Sequence, residues 1–388
     1  MTTRRAQKIV FEKINARVFC QPGAVGGGNP VTIFASPRDT TDDDVAASAP
    51  SPSLFPCKVT QQQLARTCSW ESVMVDSYRN HLYFYMPTGE EVSFCGHAAM
   101  GGALYLNAGG RRDEEESRIF SSTQSPETFT SEKFSAPFDG SMKNKVYHTQ
   151  IDLGDDIVTL KMETEWEEQP LDVHRYRSIM KTMVCLEPAD TIFSSFLKGS
   201  NQPYPHWCNS SIARPKTLVH VPSLKALNEG VLAPSIENDN FRTACDTIDS
   251  TGLYLYSERQ RNSGDKEDIQ SNQSNWECRQ FPRASGYPED PATGIAAAAL
   301  ALSLEHRRRL LQSSSSSNTS EHSYNMYQGA AMGKPSLIMV KNIEFLEGGH
   351  IDNTDRKGNL LSQAQKVSFQ LFGKVEIDSS ETIEVESL

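Results

Sequence analysis

The chain has 388 residues, 37% hydrophobic and 9% aromatic, enough for about two or three domains of ~150 residues and a sizeable core. Its net charge of −11 leaves no basic surplus to neutralise phosphates, which argues against a general nucleic-acid binder. The eight cysteines stand singly with no CxxC pair and the nine histidines form no HExxH, so no metal site is expected.

The opening stretch "MTTRRAQKIVFEKINARVFC" lacks the uninterrupted apolar core of a secretory signal. No segment reaches the ~18 apolar residues of a membrane span. A soluble, reduced, cytoplasmic protein is expected, which makes the glycosylation-like triplets at Asn209, Asn272 and Asn318 incidental. In chain order, runs rich in β-branched and aromatic residues predict strands at 16–21, 30–35, 72–77, 81–87, 217–222, 252–257, 276–282, 336–341 and 367–373. The first two flank the turn "PGAVGGGN", and "YRN" separates the third and fourth as in a hairpin. Strands outnumber helices, which predicts an α+β fold with mostly antiparallel strands. Three polar stretches, 36–60, 107–146 and 312–323, cannot bury enough apolar area to offset chain ordering and are expected to be mobile surface loops.

Two segments predict helices of an unusual kind. "FCGHAAMGGALYL" (94–106) and "EDPATGIAAAALALSL" (289–304) each place polar residues before an apolar run of small side chains. An interior glycine costs about 1 kcal/mol relative to alanine, so Gly101 and Gly102 call for close approach of surrounding chain. A helix with no polar face is buried. Aligning 86–106 with 281–302, with one extra residue in the second copy, sets Leu104 against Leu300, 196 residues on. Two similar half-chains follow: 1–165 with a central helix near 97–108, and 166–388 with a central helix near 291–311, its last strands free to return to the first half. Asp290 suits an N-cap with Pro291 at the first helical position. Arg307, Arg308 and Arg309 suit a helix C-terminus. The first four N–H groups of a helix lack intrahelical partners, so two such N-termini facing one cleft would bind a carboxylate. On pattern alone, capped buried helices without a ligand are an equal reading. Glycines 26–28 lead into Pro30 and a strand, which argues against a dinucleotide loop and for a tight turn placing Asn29 at a cleft rim.

The chain resembles the phenazine-biosynthesis isomerase-like proteins, whose fold is that of diaminopimelate epimerase. The resemblance is carried by "GNPVTIF" (28–34), "SWESVMV" (69–75), "FYMPTGEEVSFCGHAAMGGA" (84–103), "RPKTLVHVPSLKAL" (214–227), "RQFPRASGYPEDPATGIA" (279–296) and "QGAAMGKPS" (328–336), in family order over nearly the whole chain. It implies two halves, each a barrel-like, mostly antiparallel sheet wrapped around a central helix, with the active site between them. It also implies cofactor-free proton transfer in a secondary-metabolism-like role. In the phenazine enzyme a glutamate moves a proton around a dihydro-hydroxyanthranilate ring, isomerising it to a ketone. That glutamate matches Glu71, as general acid/base; an apolar cleft tunes such a carboxyl for work near neutrality. His97 matches the family's active-site histidine and Asp290 its aspartate. Gly96 and the amides after His97, beginning with Ala98, would cradle a substrate carboxylate, and Asn29, Thr293, Gly294 and Ile295 complete the substrate-binding set.

Two departures bear on the chemistry. Ile295 stands where phenazine-type members often have Ser, so a hydroxyl that could touch substrate is replaced by an apolar side chain. Cys95 matches a catalytic cysteine of the related amino-acid racemases, but Pro291 lies opposite it in the repeat and 279–388 holds no cysteine. A two-thiol racemase is therefore disfavoured, and Cys95 is expected to be a small, inert filler. The leading expectation is an isomerase on a small carboxylate- or ring-containing metabolite, with no cofactor and no nucleic-acid or membrane partner. A lyase, cyclase or epimerase on another metabolite and a non-catalytic small-molecule-binding protein are the alternatives. Many relatives are homodimers, though no segment here fixes an interface.

Overall fold

The computed structural model describes residues 7–35, 55–76, 81–92, 95–108, 128–131, 147–153, 157–171, 207–235, 237, 239–259, 272–312, 322–346 and 364–387. In chain order the elements are β1 (Gln7–Cys20), β2 (Asn29–Ala35), α1 (Lys58–Arg66), β3 (Ser72–Asp76), β4 (His81–Tyr85), β5 (Glu91–Val92), α2 (Gly96–Ala108), β6 (Thr128–Ser131), β7 (Tyr147–Leu153) and β8 (Ile157–Pro170). They continue with β9 (Trp207–Ser211), β10 (Lys216–His220), a π-helical turn (Ala226–Gly230), α3 (Asp239–Thr247), β11 (Gly252–Glu258), β12 (Gln273–Pro282), α4 (Gly294–Gln312), β13 (Ser323–Gln328), a 3-10 turn (Ala330–Met332), β14 (Ser336–Phe345) and β15 (Gln365–Ser387). The fold is α+β with few helices, as expected.

The chain forms two compact units, one of Met1–Val18, Pro30–Leu160 and Lys374–Leu388, the other of Phe19–Asn29 and Lys161–Gly373. In the first, strands run in the order β5-β4-β3-β2-β1, and β6 pairs with β7. In the second the order is β15-β14-β13-β12-β11-β10-β9-β8, with β15 also pairing with β8. Most ladders are antiparallel. The parallel pairs are β2–β3, β10–β11 and β12–β13. Each has a helix between its strands, as a parallel crossover requires.

The repeat seen in two helices is thereby a repeat of whole halves. β2-α1-β3-β4-α2 and β10-α3-β11-β12-α4 follow one scheme: strand, helix, parallel strand, antiparallel strand, buried helix. The buried helices behave as their composition predicts. Ala98, Ala99, Met100 and Ala103 of α2 are buried, and so is every residue from Ile295 to Glu305 of α4. A Cβ on Gly101 would sit 3.1 Å from Val31 of β2, and one on Gly102 3.1 Å from Leu82 of β4 and 3.2 Å from Val73 of β3. Strands close on this helix to backbone distance, which is what offsets its two glycines.

Several boundaries differ from the expectation. Strand 16–21 is only the end of β1, and strand 367–373 lies within the longer β15. The polar stretch 36–60 contains the start of α1 and the stretch 107–146 contains β6, because ladder and helix bonds there do not depend on apolar content; most of the rest lies outside the described residues. Helix α4 begins at Gly294, not Pro291. The backbone N–H of Asp290 is drawn into a bridge with the Gln280 carbonyl (3.0 Å), and Thr293 becomes the residue whose carbonyl accepts the first helical bond, from Ala297 (3.0 Å). The arginines near the end of α4 are paired with carboxylates: Arg308 and Arg309 with Glu305 (2.7 Å each) and Arg307 with Glu168 (2.6 Å).

Candidate active site

Glu71 is set in place by the backbone. It precedes β3 directly, and its carbonyl accepts the Thr32 N–H of β2 (3.2 Å), so strand pairing fixes where its side chain emerges. Helix α2 starts with the carbonyl of Cys95 accepting the Ala99 N–H (2.8 Å), which puts His97 in the first turn. His97 Nε2 then lies 3.8 Å from Glu71 Oε2, with both residues about 5–6% exposed. Cys95 Sγ lies 3.3 Å from His97 Nδ1 and 3.9 Å from Nε2. Thiol, imidazole and carboxylate thus form one buried row at a helix N-terminus. Gly96 and Ala98, the two backbone candidates, are residues of the same turn.

The second unit holds a separate polar group. Asn29 is 1% exposed, and its Nδ2 donates to Asp290 Oδ1 (2.8 Å) and to the Ala292 carbonyl (2.6 Å). Asp290 Oδ1 also accepts the Ala292 N–H (3.3 Å), and Oδ2 accepts the Thr293 hydroxyl (2.6 Å). The Asp290 carboxylate therefore ties a tight turn to Asn29. Gly294 answers to packing, since a Cβ there would come 2.9 Å from the Phe19 ring and 3.0 Å from Leu371. Phe19 itself holds a left-handed φ of 67° while fully buried, an uncommon state for an aromatic residue. Ile295 follows in the first turn of α4, buried.

Sequence reasoning missed four buried polar residues of this unit. Gln328 donates through Nε2 to the Asp290 carbonyl (2.7 Å) and the Thr293 hydroxyl (3.2 Å). Its Oε1 accepts from the Thr293 N–H (3.2 Å) and from Tyr254 Oη (3.2 Å). Arg279 and Glu289 form a buried two-pronged pair (2.9 and 2.7 Å) whose Nη1 also donates to the carbonyls of Leu227 (3.0 Å) and Val231 (2.6 Å). Gln328 opens the quoted "QGAAMGKPS" stretch and Arg279 opens "RQFPRASGYPED", so position was the available signal; Tyr254 reads as one more strand aromatic.

The two halves differ at their matching positions. Glu71 precedes β3 as Thr251 precedes β11, and Cys95 precedes α2 as Thr293 precedes α4, so Thr293 stands opposite Cys95 where the sequence alignment had set Pro291. The repeat thus carries a carboxylate before the strand in one half only. Among the described residues no group of three or more His, Cys, Asp or Glu could hold a metal ion, and no helix is long and apolar enough to cross a membrane.

The model of the phenazine biosynthesis-like family matches residues 251–368. The structure of a PhzF-family phenazine biosynthesis protein from Bacillus anthracis superposes with a TM-score of 0.57 at 13% identity, over 96% of this chain and 99% of its own. A PhzF-family protein from Enterococcus faecalis gives 0.50 at 12% identity, over 97% and 99%. A predicted epimerase from Pseudomonas aeruginosa gives 0.52 at 16% identity, over 96% and 99%. No curated protein matches the chain. Residues 251–368 are therefore similar to the phenazine biosynthesis-like family, and over nearly its whole length the chain has the α+β fold of these solved structures.

Proposed function

We propose that the chain is a cofactor-independent isomerase of secondary metabolism that moves a proton on a small carboxylate- or ring-containing metabolite. The observation that carries this reading is the buried Glu71, 3.8 Å from His97, with Thr251 at the matching place in the other half. A single carboxylate beside an imidazole suits lifting a proton from one carbon and returning it to another, with no second base required. The Glu71 carboxylate takes the proton from a carbon activated by a neighbouring carbonyl or carboxylate and becomes a carboxylic acid. His97 faces that carboxyl and steadies it in either state. Return of the proton to a different carbon completes the isomerisation and restores the carboxylate.

Amides of Gly96 and Ala98 are suited to a substrate carboxylate, since first-turn N–H groups lack intrahelical partners. In the second unit, Asp290 acts by holding Asn29 and Thr293, because its two oxygens already accept three hydrogen bonds. Asn29, Thr293 and the apolar Ile295 serve substrate binding in this reading, and Gly294 lets the helix start close to Phe19. The net charge of −11 favours a small-molecule substrate over nucleic acid, and this reading places the protein in the cytoplasm.

The test is solvent exchange. Cyclic and acyclic carboxylates bearing an acidic C–H are incubated with the protein in D2O and followed by NMR. Deuterium should enter a substrate carbon with the wild type and enter at least about 100-fold more slowly with Glu71→Gln, the lower bound for loss of a general acid/base. No exchange with any candidate, or equal exchange by Glu71→Gln, overturns the proposal. Exchange at one carbon with inversion and no shift of unsaturation would make the activity that of an epimerase.

A further inference from the structure

Beside the hydrogen-bonded group of the second unit stands an amide that takes no part in it. Gln280 is 1% exposed, and among the described residues neither its Nε2 nor its Oε1 has a hydrogen-bond partner. We propose that Gln280 is a specificity-determining residue: its side chain binds a neutral substrate group that carries a donor and an acceptor side by side, as a carboxamide does. The proposal rests on the reading that this unit binds substrate and names the class of group it takes.

Gln280 stands near the end of β12, opposite Tyr254 of β11, and its backbone is bridged to Asp290 just before α4. It therefore lies at the end of the sheet where that helix begins. Its Nε2 is 2.8 Å from the place a Cβ of Gly252 would occupy, so the side chain leans toward the start of β11, where glycine puts no side chain in its way. The polar groups around it are bonded elsewhere. Tyr254 turns its hydroxyl to Gln328 Oε1 (3.2 Å), and Gln328 Nε2 serves the Asp290 carbonyl (2.7 Å) and the Thr293 hydroxyl (3.2 Å). A buried amide left unpaired costs the desolvation of both its ends, and an apolar side chain of that length would fill the same place without the cost. What the amide offers is two donors and an acceptor held dry and unused, which suits a partner that brings its own acceptor and donor. Tyr254, Gln280, Thr293 and Gln328 are uncharged and the Asp290 carboxylate repels anions, so a buried anion would find no counter-charge here and a neutral group is favoured. A site built around such a pairing discriminates sharply against an analogue that lacks one half of it.

The experiment uses simple probes and does not need the substrate. Full-length 15N-labelled protein is titrated with benzamide, with methyl benzoate, which only accepts, and with benzoate, which is charged. The side-chain amide signal of Gln280 is identified by its loss in Gln280→Met. Benzamide should shift that signal and bind at least about tenfold more tightly than either analogue, and the preference should vanish in Gln280→Met. With no probe present, Gln280→Met should raise the urea unfolding midpoint, because an unpaired buried amide gives way to an apolar side chain of similar length. An unmoved Gln280 signal, equal binding of the three probes, or a benzamide preference that survives in Gln280→Met overturns the proposal. So does a lower midpoint in Gln280→Met, which would show the amide to be bonded within the protein. Deuterium exchange tests the isomerase reading separately, so either result can fail without the other.

Discussion

Glu71 and Thr251 directly precede equivalent strands, and only the first has an acid–base side chain. Its removal should therefore be felt in proton transfer and little in folding; Glu71→Gln keeps the shape and loses the ionisable group, and exchange should fall by about 10²–10⁴. A second titrating residue matters to stability instead. His306 of α4 lies between Trp166 and Phe345, with ring centroids at 5.3 and 5.8 Å. Burial pushes its pKa below the ordinary 6.5, with Glu168 opposing the shift and Arg307 and Arg309 adding to it. A histidine depressed in the folded state binds fewer protons there than in the unfolded chain. Its contribution is fully present above 6.5 and is lost as pH falls below that value toward the folded one. Urea unfolding midpoints should drop between pH 7.5 and pH 5, and His306→Phe should make that drop smaller; an identical slope in the variant would assign it to other groups. Glu305, one residue earlier, behaves differently: burial pushes its carboxyl up, yet hydrogen bonds from Arg308, Arg309 and Tyr324 outweigh burial and leave it below its ordinary value.

The segment from β12 to α4 shows how an element is locked. Arg279 and Gln280 are consecutive on β12, and so are Glu289 and Asp290 after the loop; the first of each pair joins side chain to side chain, the second backbone to backbone. Breaking a buried ion pair from one side costs about 3–5 kcal/mol, whereas replacing both partners by apolar residues is often close to neutral. Arg279→Met should thus lower stability strongly in chemical denaturation, and adding Glu289→Leu should recover much of it, leaving only the two carbonyls of Leu227 and Val231 without the guanidinium. Much of this architecture was legible in the chain. Runs such as "TLVHVP" and "GLYLYS" announce strands because β-branched and aromatic side chains alternate there, and the glycines of α2 announce close packing. β8 was less visible: Val158, Leu160, Met162, Thr164 and Trp166 alternate inward, but Lys161, Glu163 and Glu165 between them are residues that favour helices. The short helices α1 and α3 are polar and nine residues long, stabilised by tertiary packing and not by propensity. At the site, Glu71 and His97 stood out through the resemblance. The Gln328–Tyr254 contact joins residues 74 apart in sequence and no local pattern carries it.

At the scale of the whole molecule, the first unit is completed by the end of the chain. Lys13 bonds Glu381 (2.8 Å), Asn15 bonds Ser379 (3.0 Å) and Arg17 bonds Asp378 (2.9 Å). Ile383 and Val385 pack on the cluster of Phe34, Leu64, Ala65, Met74 and Tyr85. Deleting 374–388 should therefore destabilise the unit that holds Glu71 and His97, seen as a lower thermal midpoint. An unchanged midpoint would show that the last strand is an ornament of that unit. The two units share one folding scheme, yet a carboxylate directly before the matching strand stands in only one of them, and this lends the proposed reaction a direction in space that the repeat lacks. A hydrogen lifted by one carboxyl and restored by the same carboxyl must leave and return on a single face of the substrate. With substrate deuterated at the reacting carbon and reacted in ordinary water, part of the label should reappear in the product on that face. Complete washout, or arrival on the opposite face, would point to a second carrier of hydrogen.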